Sequence, residues 1–520
     1  MQLILHMPHS ASYIPKLTIN ERTNYSPCIL DFYVLHIFYT TLPNFLFSLN
    51  MMKQNKSNRV AVRSKLTAVS SRPVNPGTIH SFTGLDHAMA LHSVHVIFYY
   101  KEKLFSYFDL DPFRVCLSET LSLYPPVTGR IVRREVDGEW EVKCNDAGVR
   151  VVKATVATTL DEWLATADGA EERLLTAWYD MPHGDSSSWS PYRIQINEFE
   201  GGGVAIGLSC SHMQADPTCV TLLIKSWAET HRREPVVHPP SFDDLSNSPL
   251  TRGLNIHNTN TKSSRAYYEA KSMAAQTSLI LKKMGTATFK FSNEVIKQSL
   301  LEIHQTCSVA TPFDLLAALF WTRIARLKHP KSKSKHSLSI CVDFRKKLLL
   351  SYGYYGNALH FSLLSLPDVE EKEDFRDVAE AVHYHVSSQG EGEFWSALDW
   401  FESRKEEGGQ FGAPFRMYGP ELTCMSMEHM VDFPGITGNK LLMNTAVFDK
   451  ENRPVHVSYH VGNVEGEGLI MVMPALEGGL ARMVTVTLPE EELEQLCQDE
   501  AISSFSSLNP IMVLSGTRRA

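Results

Sequence analysis

No two of the nine cysteines, Cys28, Cys116, Cys144, Cys210, Cys219, Cys307, Cys341, Cys424 and Cys497, stand in a CxxC spacing. Zinc-ribbon and thioredoxin-type readings therefore have no support. An odd, widely scattered set fits a reducing compartment, so a cytoplasmic location is expected. Basic excess is missing too. The 50 Lys and Arg stand against 58 Asp and Glu, leaving a net charge of −8. Chains that live on nucleic-acid phosphates usually carry the opposite balance, so no nucleic-acid partner is expected. There is no GxGxxG opening a strand–helix unit, no Walker loop, no HExxH and no GxSxG elbow. Dinucleotide, P-loop, zincin and α/β-hydrolase chemistries lose their usual sequence support.

What is present is ordinary globular material. The 520 residues are 43% hydrophobic and include 8 Trp, 25 Phe and 18 Tyr. That suffices for a large core without disulfides or a structural metal, and the length suits two large domains. The first fifty residues differ from the rest. Phe32 to Leu49 is a mostly apolar run interrupted by Pro43. It lacks the preceding basic segment of a secretory signal and is borderline in length for a membrane span. A short membrane segment, a translation start at Met51 or Met52, and a tail outside the fold all remain open. Residues 1–57 are expected to be an extra segment outside the fold.

From Ser57 onward, β-rich runs alternate with helical ones in two halves. In the first, Val94–Tyr100 reads as a strand and Phe113–Leu123 as a helix. Gly129–Val132 and Trp140–Val142 flank Asp137-Gly138 as a hairpin. Val204, Ile206, Leu208 and Cys210 alternate with Ala205, Gly207, Ser209 and Ser211, which predicts a strand with one small-residue face. A helix from Pro217 to Ala228 follows. Residues 229–285 include a stretch rich in Pro, Asn, Ser and Thr and read as a crossover linker. The second half has a strand over Thr288–Phe291, a helix over Asn293–Gln305 and an apolar helix after Thr311-Pro312. Alternation over 338–345 predicts a strand, and Leu469–Met473 and Met483–Leu488 a hairpin-like pair. The expected fold class is α/β (α+β), with domains over 58–228 and 286–520.

One local pattern suggests chemistry: His212-Met213-Gln214-Ala215-Asp216, where a strand gives way to a helix. With 21 His and 22 Asp in 520 positions, chance alone supplies about one HxxxD. Asp216 before Pro217 is also a good helix N-cap with Pro at N1, which by itself accounts for the Asp. His212 could equally be a hydrogen-bonded core histidine.

Several separated stretches together resemble one family. Leu117-Ser118-Glu119-Thr120-Leu121, Tyr124-Pro125 and Gly129-Arg130 look like the opening motif of the plant BAHD acyltransferases. GEWEVKCNDAGVRVVKA, QINEFEGGGVAIGLSCSHMQAD, TPFDLLAALFWTRIARL, CVDFR, GYYGN and TVTLPEEELEQL are similar to later blocks of that family, in order, over about residues 58–500. The resemblance implies two chloramphenicol-acetyltransferase-like domains with a channel between them. It also implies acyl-CoA as donor substrate, a small-molecule alcohol or amine acceptor, no permanently bound cofactor, and a monomer. His212 would act as general base, and Asp216 would form an ion pair with Arg345 of CVDFR to hold the turn. As the base, His212 is expected to be reachable from solvent.

Two departures stand out. Pro217 replaces the glycine that usually follows the motif's Asp. The family's DFGWG element is reduced to Asp432-Phe433-Pro434-Gly435-Ile436, keeping Asp432, Phe433 and a displaced Gly435 but no Trp. An intact HxxxD beside a degraded DFGWG resembles the Eceriferum/glossy branch. That likeness implies a different role: a non-catalytic accessory of very-long-chain fatty-acid elongation for surface wax, peripheral at the endoplasmic reticulum beside a membrane condensing enzyme. Cys210 reads as a buried structural cysteine. His383 and His385 lack a third ligand, so no metal site is expected. His456 and His460 share one strand face and read as ordinary. Lys331–Lys335 reads as a solvated loop.

Overall fold

The computed structural model describes residues 59–505 except 103–109, 135–137, 183–185, 244, 246–261, 275–281, 329–335, 367–374, 405–414, 437–439 and 451. The apolar run at 32–49, the Asp137 tip, residues 244, 246–261 and 275–281 of the expected crossover linker, and the Lys331–Lys335 cluster lie outside the described residues; the described part of that linker holds a helix, Lys262–Ala274. By its contacts the chain divides into Met1–Asn58 and Arg59–Ala520, and every described residue belongs to the second unit.

Two six-stranded sheets organise the described residues. The first runs, in spatial order, Val60–Ala68, Val149–Thr159, Tyr192–Glu200, Val204–Ser211, Ser93–Tyr100 and His456–Gly462. Its last strand comes from far along the chain and pairs antiparallel with Ser93–Tyr100. The second runs Leu359–Leu366, His336–Asp343, Thr423–Ser426, Leu469–Pro474, Arg482–Pro489 and Met284–Phe291. The short strand Thr423–Ser426 lies parallel to both neighbours, while the outer pairs are antiparallel. A three-stranded sheet holds the expected hairpin, with Arg130–Arg133 antiparallel to Trp140–Lys143. The fold is mixed α/β with two sheet-rich domains.

Packing follows from the side-chain pattern. Val94, Val96, Phe98 and Tyr100 face the helix Pro217–His231, whose Val220, Leu223, Ile224 and Trp227 join them in the largest hydrophobic cluster. That cluster continues into Phe344, Phe361, Trp395 and Met425 of the second half, so one core spans both. The opposite face of the first sheet carries Ile97, Tyr99 and Ala205 under Trp163 and Leu175. Gly207 is required there because a Cβ would lie 2.3 Å from the Leu175 carbonyl oxygen. The small-residue face is thus the seat of a closely packed loop, tied down where Gln195 and Asn197 donate to the carbonyls of Leu174 and Leu175. Among the described residues, no helix is long and apolar enough to cross a membrane.

Candidate active site

His212 follows directly on the strand Val204–Ser211, and the helix Pro217–His231 starts five residues later. The turn between them is fixed at several points. His212 N–H donates to the His92 carbonyl at 3.0 Å. Asn357 Nδ2 donates to the His212 carbonyl at 2.8 Å and to Asp86 Oδ1 at 2.8 Å. The His212 side chain therefore sits on a backbone clamped from two remote segments.

Asp216 has two roles at once. Its Oδ1 accepts from Cys219 N–H at 3.1 Å, capping the helix that begins at Pro217. Arg345 engages both carboxylate oxygens, Nη1 to Oδ2 at 2.7 Å and Nη2 to Oδ1 at 3.0 Å. Ala358 N–H adds a contact to Oδ2 at 3.3 Å. Pro217 fits because the first helical position needs no N–H. Burial pushes the Asp216 carboxyl upward, but the Arg345 guanidinium outweighs it and holds the group below the ordinary carboxylate range. Arg345 also pairs with Asp343 and donates to the Gly356 carbonyl at 2.8 Å. The geometry turns Asp216 toward Arg345 and the helix start.

His212 is 0% exposed. Its Nε2 lies 3.0 Å from the hydroxyl of Tyr418, which is equally buried. Solvent access, expected for a base at a channel, is not what the structure has. Tyr418 is one of the groups that cover His212. Its ring stands edge-on to His92 at 5.0 Å and to Phe361 at 5.4 Å, and its hydroxyl closes over the imidazole nitrogen. Burial keeps the Tyr418 phenol well above its ordinary pKa, so it remains an O–H able to donate to Nε2. With the phenol donating, Nε2 is the acceptor and the His212 proton sits on Nδ1, beside the residue's own carbonyl. Burial also lowers the His212 pKa, while its own carbonyl, Asp216 and Asn357 act in the opposite direction. The imidazole is neutral at neutral pH, the form a general base needs.

The degraded element lies apart from these groups. Asp432 is exposed and adopts a positive φ of 51°. Phe433 is buried against His238 and Tyr352, with ring centroids at 5.3 and 5.8 Å. Gly435, at φ 73°, passes close to the His238 ring, and His238 Nε2 meets the Pro434 carbonyl at 2.8 Å. Immediately upstream, His429 Nε2 reaches the Thr218 hydroxyl at 2.7 Å, connecting this region to the helix that Asp216 caps. His383 meets Asp314 and His385 meets Ser362. No group of three metal-ligating side chains occurs among the described residues.

Asn357 falls within GYYGN, so a sequence signal existed for it without a role attached. Tyr418, His92 and Asp86 lie in stretches that carried no chemical motif.

The profile of the Transferase family matches residues 59–502. Protein ECERIFERUM 26-like of Arabidopsis thaliana is 24% identical over 434 residues, covering 83% of this chain and 92% of that protein. Protein ECERIFERUM 2 of Arabidopsis thaliana is 26% identical over 462 residues, covering 84% of this chain and 98% of that protein. Among solved structures, vinorine synthase superposes with a TM-score of 0.63 at 18% identity, over 86% of this chain and 98% of its own. At that identity the likeness concerns the fold alone.

Proposed function

Because the chain belongs to the Transferase family, and its relatives place it with the Eceriferum-like BAHD proteins, we propose that it moves an acyl group from a coenzyme A thioester to an alcohol or amine. His212 is the general base in this reading. The observation that carries it is the 3.0 Å contact between His212 Nε2 and a hydroxyl. That is the geometry in which a base receives a proton from an attacking O–H. The acceptor oxygen attacks the thioester carbonyl while its proton passes to Nε2. The C–O bond forms, the C–S bond breaks, and His212 returns the proton to the departing thiolate. Lowering of the imidazole pKa by burial favours that return. Asp216 and Arg345 support the turn and do not touch the reacting atoms. Donor and acceptor approach between the halves 58–228 and 286–520.

The test is turnover of labelled acyl-CoAs of graded chain length with alcohol and amine acceptors, comparing wild type with His212→Ala. Loss of a general base is expected to cost roughly 10²–10⁴ in rate. Equal turnover by a folded His212→Ala protein would remove the reading.

A second reading has an observation of its own. The Nε2 lone pair is already engaged by Tyr418 and both groups are fully buried. That favours a non-catalytic accessory of very-long-chain fatty-acid elongation, working beside a membrane condensing enzyme. Under that reading, His212→Ala co-expressed with a condensing enzyme still supports very-long-chain product. Complete loss of product with stable His212→Ala protein excludes it.

A further inference from the structure

We infer that Tyr418 is an internal stand-in for the acceptor hydroxyl, and that it closes the His212 base until a substrate displaces it. The inference rests on the transferase reading and adds a regulatory element to the same site. The Tyr418 oxygen lies where an attacking hydroxyl must lie, within hydrogen-bond reach of Nε2. Two hydroxyls cannot share the single lone pair of that nitrogen in its neutral form.

The segment carrying Tyr418 is anchored on both sides. Met417 N–H donates to His92 Nε2 at 3.0 Å, and His92 Nδ1 meets the Gly462 carbonyl at 3.1 Å. Accepting at Nε2, His92 is neutral with its proton on Nδ1. Burial first, then the neighbouring His212, holds its pKa down at about 3. After Tyr418, the buried Lys271 ammonium donates to the Gly419 carbonyl at 2.6 Å and is paired with Glu421. With the backbone pinned before and after, opening falls on the two side-chain torsions of Tyr418. A bound acceptor supplies its own O–H to Nε2, so the imidazole loses no hydrogen bond in the exchange. The cost is moving the phenol. This gate slows attack by water on the donor thioester, because a small molecule brings little binding energy to displace a packed ring.

The experiment uses the full chain as wild type, Tyr418→Phe, Tyr418→Ala and the double variant Tyr418→Phe/His212→Ala, each checked for folding by thermal melting. The first readout is independent of turnover: the rate at which diethyl pyrocarbonate modifies His212, mapped by mass spectrometry. Losing one hydrogen bond is expected to raise that rate about fivefold in Tyr418→Phe, and removing the ring in Tyr418→Ala to raise it further. The second readout is transfer from palmitoyl-CoA to n-butanol and to water. Both are expected to rise about fivefold in Tyr418→Phe and to vanish in the double variant. Folded single variants with His212 as unreactive as in wild type overturn the inference. So does a fall in transfer for Tyr418→Phe, which makes the phenol a participant and not a stand-in. If His212 becomes reactive while no variant transfers an acyl group, the closure stands and the transferase reading falls.

Discussion

Arg345 holds Asp216 through two hydrogen bonds, of 2.7 and 3.0 Å, with the carboxylate 0% and the arginine 5% exposed. The pair joins the strand end of one sheet to the helix that starts beside the other. Replacing Asp216 by Ala leaves a buried guanidinium with Asp343 as its remaining carboxylate, and removes the N-cap as well. The expected loss is about 3–5 kcal/mol for the broken pair, with about 1 kcal/mol from the cap included. Urea unfolding measures it. Arg345→Lys is expected to recover little, because a lysine cannot make the two-pronged contact. A loss below about 1 kcal/mol in Asp216→Ala would show that the pair does not hold the turn.

Gly207 offers a test of packing beneath the strand Val204–Ser211 that leads into His212. Its added Cβ would meet the Leu175 carbonyl oxygen at 2.3 Å, and backbone must shift to relieve that. Gly207→Ala is expected to destabilise by roughly 1–3 kcal/mol, as overpacking does. Gly207→Val should do worse. Thermal melting of the two variants checks the order, and equal melting to wild type contradicts the close approach.

Glu172 predicts acid sensitivity. It accepts from the Tyr99 hydroxyl at 2.6 Å and the Ser458 hydroxyl at 2.5 Å, and meets His460 at 2.9 Å. Burial raises its pKa, but the charge and hydrogen bond of His460, with His456 and the Ser458 hydrogen bond, together outweigh burial, and the net value falls from 4.5 to about 2. A depressed carboxyl stabilises the fold above its unfolded pKa, and that stability disappears as pH falls from about 4.5 toward 2. About 3 kcal/mol is involved. Urea midpoints of wild type should therefore drop steeply in that window. Glu172→Gln should flatten the slope, and a wild-type curve flat across the window would count against the cluster.

The sheet-and-helix order was readable because period-2 and helix-spaced apolar runs are local properties. Val204–Ser211 and the helix from Pro217 emerge from alternation and from an Asp-Pro start. The resemblance supplied Arg345 as the Asp216 partner, since 129 residues separate them and no periodicity connects the two. Tyr418 was not readable. It reaches His212 across 206 positions from a stretch without a motif, and whether a side chain is enclosed depends on packing from all directions. For the same reason the expected solvent access of His212 failed. His456 and His460 show the intermediate case. Their shared strand face was visible in the spacing, but Glu172, which makes that face a buried charge cluster, comes from a short helix far upstream.

Asn357 and Asp86 give a last prediction, opposite in sign to that for Glu172. Asp86 is buried, and burial raises its pKa from 3.8 to about 6 against the hydrogen bonds from Asn357 and Thr83. A carboxyl raised in the fold binds its proton more tightly folded than unfolded. Stability is then greatest below about pH 4 and falls as pH rises toward 6, by about 3 kcal/mol in all. Asn357 donates to the charged form at 2.8 Å, so it limits that loss. In Asn357→Ala the Asp86 pKa should climb further and the His212 carbonyl should lose its 2.8 Å donor. The expected cost is about 1–3 kcal/mol for the buried groups left unpaired. Because the penalty grows with ionisation of Asp86, the gap between wild type and Asn357→Ala should widen from about pH 5 to about pH 8. Urea unfolding at each pH measures the gap. A gap that is constant with pH would mean that Asn357 acts on the His212 turn alone and leaves the Asp86 charge untouched.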